Sequence, residues 1–234
     1  GFATWMSDVP LAAWKPDWRV DVDAVEESQR ALGLDSLKST HAIHMNIERP
    51  ADIESSFDVI TYQKGAAVLR MVENYVGADT FRRAINTYLQ AHAYGNATSE
   101  DFWSVVAATS GRPVDRIMPT FIHQPGVPLI DVSLACEDGR TRATFSQQRF
   151  VLDPARTPQQ PGERWQVPIC IKSPGSAAPM CEVLSDARAT FTVGGTGCAP
   201  WIFANAGAQG YYRTAYSRET LRAASSRAVT TVPK

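Results

Sequence analysis

Apolar residues along the first half of the chain recur every three or four positions. That spacing places them on one face of an α-helix, which can then be buried. Capping residues and glycines mark the helix ends, as Thr98 does with Asp101 at the start of one helix. The pattern predicts six helices, over residues 1–8, 20–37, 57–76, 79–92, 98–111 and 113–122.

The spacing of apolar residues changes after the Gln-Pro-Gly sequence at residues 124–126. Short runs of strand-forming residues follow, bounded by Gly, Pro and charged turns. In TRATFSQ, residues 141–147, side chains alternate with the two-residue period of a half-exposed strand. Strands are predicted at residues 127–135, 141–150, 165–172, 180–193 and 201–204, and residues 153–164 form an exposed loop. Such short, closely spaced strands favour a small β-sandwich.

The predicted fold class is therefore α+β with two domains. An all-helical lobe covers residues 1–126, and the β-sandwich covers residues 127–216. Residues 217–234 are expected to begin a further helical segment or to form a disordered tail.

Composition and charge narrow the classes of function. The 234 residues carry a formal net charge of −1, which gives no electrostatic case for binding nucleic acid or an anionic membrane. No apolar run approaches the length of a membrane span, so a soluble protein is expected. The chain starts without methionine and shows no signal peptide, which leaves its location open between the cytoplasm and a periplasmic or secreted state.

The four cysteines all lie in the second half of the chain and form no C-x-x-C pair. That spacing argues against structural zinc. Cys170 and Cys181 flank a turn-like segment and could face each other on paired strands. A disulfide between them and buried free thiols both remain open.

Searches for familiar catalytic patterns find no complete apparatus. The chain has no H-E-x-x-H zinc motif, no G-x-S-x-G nucleophile and no phosphate-binding loop. His41, His44 and Glu48 could be imagined as a metal cluster, but they fall in a connecting segment beside apolar residues. Because no further ligand is evident, no metal site is predicted there.

The stretch FDVITYQKGAAVLRM, residues 57–71, combines an apolar helical face with three unusual residues. Tyr62, Lys64 and Gly65 do not fit a plain surface helix. Considered alone, the stretch favours a buried helix whose tyrosine packs and whose glycine admits a neighbouring element.

This same stretch resembles the tyrosine-bearing helix of the gluzincin zinc aminopeptidases, the M1 peptidase family. Three other segments agree with that family in order. GFATWM at Gly1 resembles the residues after the third zinc ligand in N-E-G-F-A. FIHQPGVPLI at residues 121–130 resembles W-x-x-Q-x-G-x-P, with Phe121 in place of tryptophan, and NAGAQGYYRTAY at residues 205–216 resembles N-x-x-x-x-G-Y-Y-R-V-x-Y.

The resemblance implies the C-terminal half of a thermolysin-like catalytic domain followed by a β-sandwich. The parent protein would be a hydrolase, a zinc-dependent metallopeptidase that removes N-terminal residues from peptide substrates. Tyr62 matches the residue whose hydroxyl donates a hydrogen bond to the tetrahedral oxyanion. Lys64 and Gly65 are expected to be structural, and His41, in T-H-A where the family has S-H-P, is not assigned a catalytic role.

The resemblance also implies what this chain lacks. The H-E-x-x-H helix and the glutamate ligand would lie upstream of Gly1, so no zinc ligand and no zinc are expected in the chain, which would be inactive alone. No substrate-binding residue is assigned. Self-association is possible through an apolar surface around Phe2 and Trp5, exposed by truncation. The alternative is a non-catalytic binding or scaffold module that keeps the peptidase fold without a metal site.

Overall fold

A computed structural model describes residues 1–154, 163–195 and 197–228 of the chain. The chain divides into two compact units, a helical unit, Gly1–Gly126, and a β unit, Val127–Lys234. Most of the predicted loop at 153–164 lies outside the described residues, as do residues 229–234. Within the described ranges, no helix is both long and apolar enough to cross a membrane.

The backbone of residues 1–126 is described throughout, and it forms seven α-helices. Their bounds are α1 Phe2–Trp14, α2 Val20–Leu34, α3 Pro50–Ser55, α4 Gly65–Val76, α5 Ala78–Ala91, α6 Ser99–Ser110 and α7 Val114–Ile122. A 3₁₀ turn, Pro16–Trp18, joins α1 to α2, and a π-helical turn, Ile60–Lys64, runs directly into α4. The most buried of these helices is α4, because seven of its apolar side chains together with Gly65 are withdrawn from solvent.

Three helix predictions need correction. The first helix continues past residue 8 to Trp14 with Pro10 inside it, and α2 ends at Leu34 rather than at residue 37. The short helix α3 was not predicted, because six residues are too few to establish a period. Its start is set locally, where Asp52 accepts a 3.0 Å hydrogen bond from the Arg49 amide. The predicted cap of α6 is confirmed by the paired Thr98 and Asp101 bonds.

The β unit contains two sheets among its described residues. The strands are β1 Val127–Glu137, β2 Arg140–Phe150, β3 Val167–Ile171, β4 Met180–Leu184, β5 Arg188–Val193 and β6 Arg213–Tyr216, followed by α8 Arg218–Ala228. One sheet has the order β5-β2-β1-β6, in which β6 alone is parallel to its neighbour. The other pairs β3 with β4. Gln147 of β2 links the sheets through hydrogen bonds of 2.9 Å to both the amide and the carbonyl of Trp165.

The α+β class is confirmed, with helices followed by a β-rich part, but two strand predictions are wrong. The run 180–193 is two strands in different sheets, since residues 185–187 separate β4 from β5. Residues 201–204 form no strand and contribute a single bridge between Lys172 and Phe203. Strand β6 was missed because four residues of mixed polarity carry no strand period.

All four cysteines are paired. Cys170 and Cys181 sit opposite each other in the β3–β4 register and form one disulfide. Cys136, near the end of β1, bonds Cys198 across a sequence separation of 62 residues. The first pairing was one of the two alternatives left open by the sequence, whereas the second gave no sequence signal.

Candidate functional site

Tyr62 projects from the π-helical turn that precedes α4. Its side chain is 38% exposed, and its ring lies 6.2 Å, between centroids, from the ring of Phe57. Within the described ranges the Tyr62 hydroxyl has no hydrogen-bond partner. An accessible phenol of this kind can donate a hydrogen bond to a ligand without breaking an internal one.

The segment that carries Tyr62, residues 58–64, is here called the tyrosine turn. Asp58 begins it, since one carboxylate oxygen accepts the Thr61 amide at 2.9 Å and the Asp58 carbonyl accepts the Tyr62 amide at 3.1 Å. The other carboxylate oxygen lies 2.7 Å from Nε2 of His41. Partial burial would raise the pKa of Asp58, but the bonds from Thr61 and His41 outweigh it, so this pKa lies below its ordinary value.

A buried ion pair anchors the other end of the tyrosine turn. Lys64 Nζ lies 2.8 Å from an oxygen of Asp35, and neither side chain is exposed. The second oxygen of Asp35 accepts hydrogen bonds from the Thr40 hydroxyl at 2.6 Å and the Gly126 amide at 2.9 Å. Lys64 also donates to the Gln124 carbonyl at 3.3 Å. A fully buried charge is tolerated because it is paired and hydrogen-bonded in this way. The expectation that Lys64 is satisfied by polar groups is thus confirmed.

Gly65 lets α1 and α4 meet backbone to backbone. A Cβ atom placed on Gly65 would lie 2.9 Å from the Cα of Gly1, closer than side chains approach. The expected close helix approach at this glycine is therefore confirmed. Residue 65 follows Lys64 directly, so the same contact holds the tyrosine turn from the helix side.

Two polar contacts continue the α1–α4 interface. The Trp5 indole donates a 2.9 Å hydrogen bond to Glu73, and Arg70 forms a 2.9 Å ion pair with Asp8. Burial raises the pKa of the Glu73 carboxyl above its ordinary value, although the Trp5 bond and the charge of Arg70 act in the opposite direction. Both contacts follow the glycine contact along α1 and α4, and they fix the register of the two helices.

A mostly apolar cleft of about 550 Å³ opens beside the tyrosine turn. Thr61, the neighbour of Tyr62, lines it together with Gly65, Leu69 and residues of α6 and α7. The polar side chains in its wall are few: His44, Thr61, Tyr88, Thr98, Ser99 and the indole of Trp103. Clefts of this size, apolar with a few polar groups, are typical of binding sites for small ligands.

The described residues do not fit a zinc site. No three His, Cys, Asp or Glu side chains among them come together as a metal-binding group. The three residues considered as a cluster have other contacts. His41 faces Asp58, the ring of His44 packs 5.0 Å from that of His123, and Glu48 accepts a bond from Asn46.

Sequence reasoning missed two residues that support Tyr62. Asp58 had a local signal, since an aspartate three residues before Thr61 is suited to cap the turn. Asp35 had none, because its partners Lys64 and Gly126 are 29 and 91 residues away in sequence. Long-range pairs of this kind emerge only when the helices pack.

The motif at residues 205–216 has a structural role in the β unit. The Asn205 side chain accepts from the Gly210 amide at 2.8 Å and donates to its carbonyl at 3.1 Å. A Cβ on Gly210 would overlap the ring of Tyr212, and the buried Tyr212 hydroxyl donates to the Ala204 carbonyl at 2.7 Å. This motif closes a loop within the β unit.

Residues 1–121 match the family model described as the peptidase family M1 domain. Aminopeptidase M1 of Arabidopsis thaliana is 32% identical over 92% of this chain and 25% of its own length. Tricorn protease-interacting factor F2 of Thermoplasma volcanium is 36% identical over 94% of the chain and 26% of its own length. Puromycin-sensitive aminopeptidase of Caenorhabditis elegans is 31% identical over 95% of this chain and 24% of its own length.

The chain thus spans about a quarter of the length of these relatives. The family match covers the described helical unit almost completely, including the tyrosine turn, the Lys64 ion pair with Asp35 and the glycine contact. On this match, the chain belongs to peptidase family M1.

Proposed function

We propose that this chain forms part of an M1 aminopeptidase that removes N-terminal residues from peptides, and that Tyr62 is its hydrogen-bond donor to the tetrahedral oxyanion. Family membership supports the reaction class. The observation that carries the role of Tyr62 is its exposed side chain, whose hydroxyl has no internal partner among the described residues, on a turn that is held at both ends.

The chemistry explains why such a donor matters. Attack on a peptide carbonyl turns its oxygen into an oxyanion, and a donor already in position stabilises that charge without reorganising. One preorganised donor lowers the barrier by about 3 kcal/mol. The buried pair of Lys64 and Asp35 and the Asp58 cap supply the rigidity that this effect requires.

Zinc enters this proposal only through the family. The family resemblance implies that the zinc ligands lie upstream of Gly1, and we propose accordingly that zinc is bound by residues outside this chain. The 234 residues alone are then expected to hold no zinc and to hydrolyse no peptide. The part that they contribute is the wall of the active site that carries Tyr62.

The test is Tyr62→Phe in the longer protein that carries this chain, with aminoacyl anilides and short peptides as substrates. The ring is kept and only the hydroxyl is lost. We expect kcat to fall about 100- to 1,000-fold because the lost bond acts mainly on the transition state. KM should change little. Tyr94→Phe is the matched control, since Tyr94 is fully exposed and lies on the turn after α5.

The possible results test the role of Tyr62 and the reaction class separately. An unchanged kcat in Tyr62→Phe would refute the role of Tyr62 while leaving the reaction class intact. Failure of the unmodified protein to release N-terminal residues, with its zinc bound, would refute the aminopeptidase proposal. That result would favour the non-catalytic binding or scaffold module.

A further inference from the structure

The side chains of His41 and Asp58 meet at the start of the tyrosine turn. Asp58 holds the amide of Thr61 with one carboxylate oxygen and His41 with the other. His41 in turn reaches the Ala42 carbonyl through Nδ1 at 2.8 Å. The ring is therefore held by both of its nitrogens. Through Asp58 it is connected to Thr61 and Tyr62 of the turn.

The partners of the two ring nitrogens are both acceptors. Nδ1 of His41 faces a carbonyl oxygen, which only accepts, and Nε2 faces a carboxylate oxygen at 2.7 Å. A hydrogen bond to a carboxylate is charge-assisted, and bonds of this kind are short and well oriented.

The pair acts on a segment of unusual geometry. Residues 60–64 form a π-helical turn, which is rare in proteins and frequent at functional sites. A π turn needs support from outside its own hydrogen bonds to persist against the ordinary α-helix. Lys64 and Asp35 provide it at the C-terminal end, and Asp58 with His41 provides it at the N-terminal end, next to Tyr62.

We propose that His41 and Asp58 are positioning residues for Tyr62: their hydrogen bond holds the turn in the geometry that directs the Tyr62 hydroxyl toward the oxyanion. This inference rests on the proposed function. Neither residue contacts substrate in the proposal. Their effect on the reaction passes entirely through the placement of Tyr62.

The partial exposure of His41 and Asp58 distinguishes a positioning role from a role in stabilising the core. The side chains of His41 and Asp58 are 30% and 36% exposed, unlike the fully buried pair of Lys64 and Asp35. Even when both partners are charged, partly exposed pairs add little to folding stability. Catalysis is more sensitive, because a displacement of about 1 Å can cost on the order of 100-fold in rate. Loss of the pair should therefore reduce turnover more than stability.

The first test compares single variants in the longer protein that carries this chain. His41→Ala and Asp58→Ala are expected to lower kcat on the order of tenfold with little change in KM, because Tyr62 is displaced and substrate binding is not. Asp58→Asn should retain kcat within about threefold, since its oxygen can cap Thr61 and its amide can donate to Nε2 of His41. Asp52→Ala, at the capping aspartate of α3, is the matched control and should leave kcat unchanged.

The second test is a double-mutant cycle with Tyr62→Phe. If His41 acts only through the tyrosine hydroxyl, His41→Ala should cause no further loss of kcat once that hydroxyl is gone. A residue that merely supported the fold would lower kcat by the same factor in both backgrounds. Melting temperatures of all variants, measured alongside, show whether each protein is folded at the assay temperature.

The measurements distinguish failure of the positioning role from failure of the proposed function. If Tyr62→Phe loses activity but folded His41→Ala keeps the full kcat, the positioning role is wrong and the role of Tyr62 stands. Additive losses in the double mutant, or equal losses in Asp58→Ala and Asp58→Asn, would also overturn it. If Tyr62→Phe itself is fully active, the proposed role of Tyr62 has failed first.

Discussion

At the scale of single residues, Lys64 is the most unusual side chain in the helical unit. It is charged, fully buried, and only two positions from Tyr62. Its ammonium group is offset by the Asp35 carboxylate and by backbone carbonyls at residues 124 and 126. A buried pair of this kind need not be more stable than an apolar replacement of both partners, but removal of one partner leaves the other charge uncompensated.

Lys64→Met tests this arrangement, since it keeps most of the side-chain volume and removes the charge. We expect the free energy of unfolding to fall by about 3–5 kcal/mol because the Asp35 carboxylate stays buried without its counter-ion. Urea unfolding of the 234-residue chain measures the change. Lys38→Met is the matched control, because Lys38 is exposed and its replacement should cost less than about 0.5 kcal/mol. Similar small losses in both variants would contradict the importance of the pair.

At the scale of elements, the helical unit depends on how closely α1 and α4 approach. The Gly1–Gly65 contact brings their backbones together, and the Trp5 bond to Glu73 and the Arg70 ion pair with Asp8 follow along the same two helices. Because the tyrosine turn runs directly into α4, the position of α4 also sets the position of Tyr62.

Gly65→Ala should therefore destabilise the protein although alanine is the better helix former. The added methyl would lie 2.9 Å from backbone, which cannot rotate away as a side chain can. Overpacking of this kind costs about 1–3 kcal/mol, more than the helix propensity returns. The measurement is again urea unfolding.

Gly33→Ala in α2 is the control, for which the opposite change in stability is expected. A Cβ on Gly33 has nothing within 4 Å, so only the helix propensity changes. We expect a gain of about 0.5–1 kcal/mol. Stabilisation by both alanines would show that the contact between α1 and α4 is not tight.

At the scale of the whole molecule, the two units are stabilised by different means. The helical unit holds its interior with apolar packing and a buried ion pair, whereas the β unit contains both disulfides. The Cys136–Cys198 bond closes a loop of 62 residues and the Cys170–Cys181 bond a loop of only 11. Loop closure predicts that the longer loop contributes more stability.

Removal of each disulfide by paired serine substitution tests this order. From chain entropy, loss of Cys136–Cys198 should cost about 4 kcal/mol and loss of Cys170–Cys181 about 3 kcal/mol. Amide hydrogen exchange in peptides from β1 and β2 reports the stability of the β unit in each variant. Peptides from α4 and α5 in the same samples serve as the internal reference. A larger loss from Cys170–Cys181 would contradict the loop-closure argument.

Local patterns in the sequence determined much of this protein. The period of apolar residues was enough to predict the helices α4 to α7 and the change to strands after residue 126, because each signal lies within a few neighbouring residues. Motif resemblance identified the family and singled out Tyr62. Short elements such as α3 and β6 escaped prediction because four to six residues hold too few repeats to show a period.

Only the tertiary structure decided how Tyr62 is held. Asp35 with Lys64, His41 with Asp58, and Gly1 with Gly65 are separated by 17 to 64 residues, and no local pattern pairs them. The second disulfide, Cys136–Cys198, belongs to the same class. Hydrogen bonds, ion pairs and close backbone contacts depend on distances that exist only once helices and strands have packed. The sequence alone therefore singles out Tyr62, and packing supplies the contacts that hold the turn on which it lies.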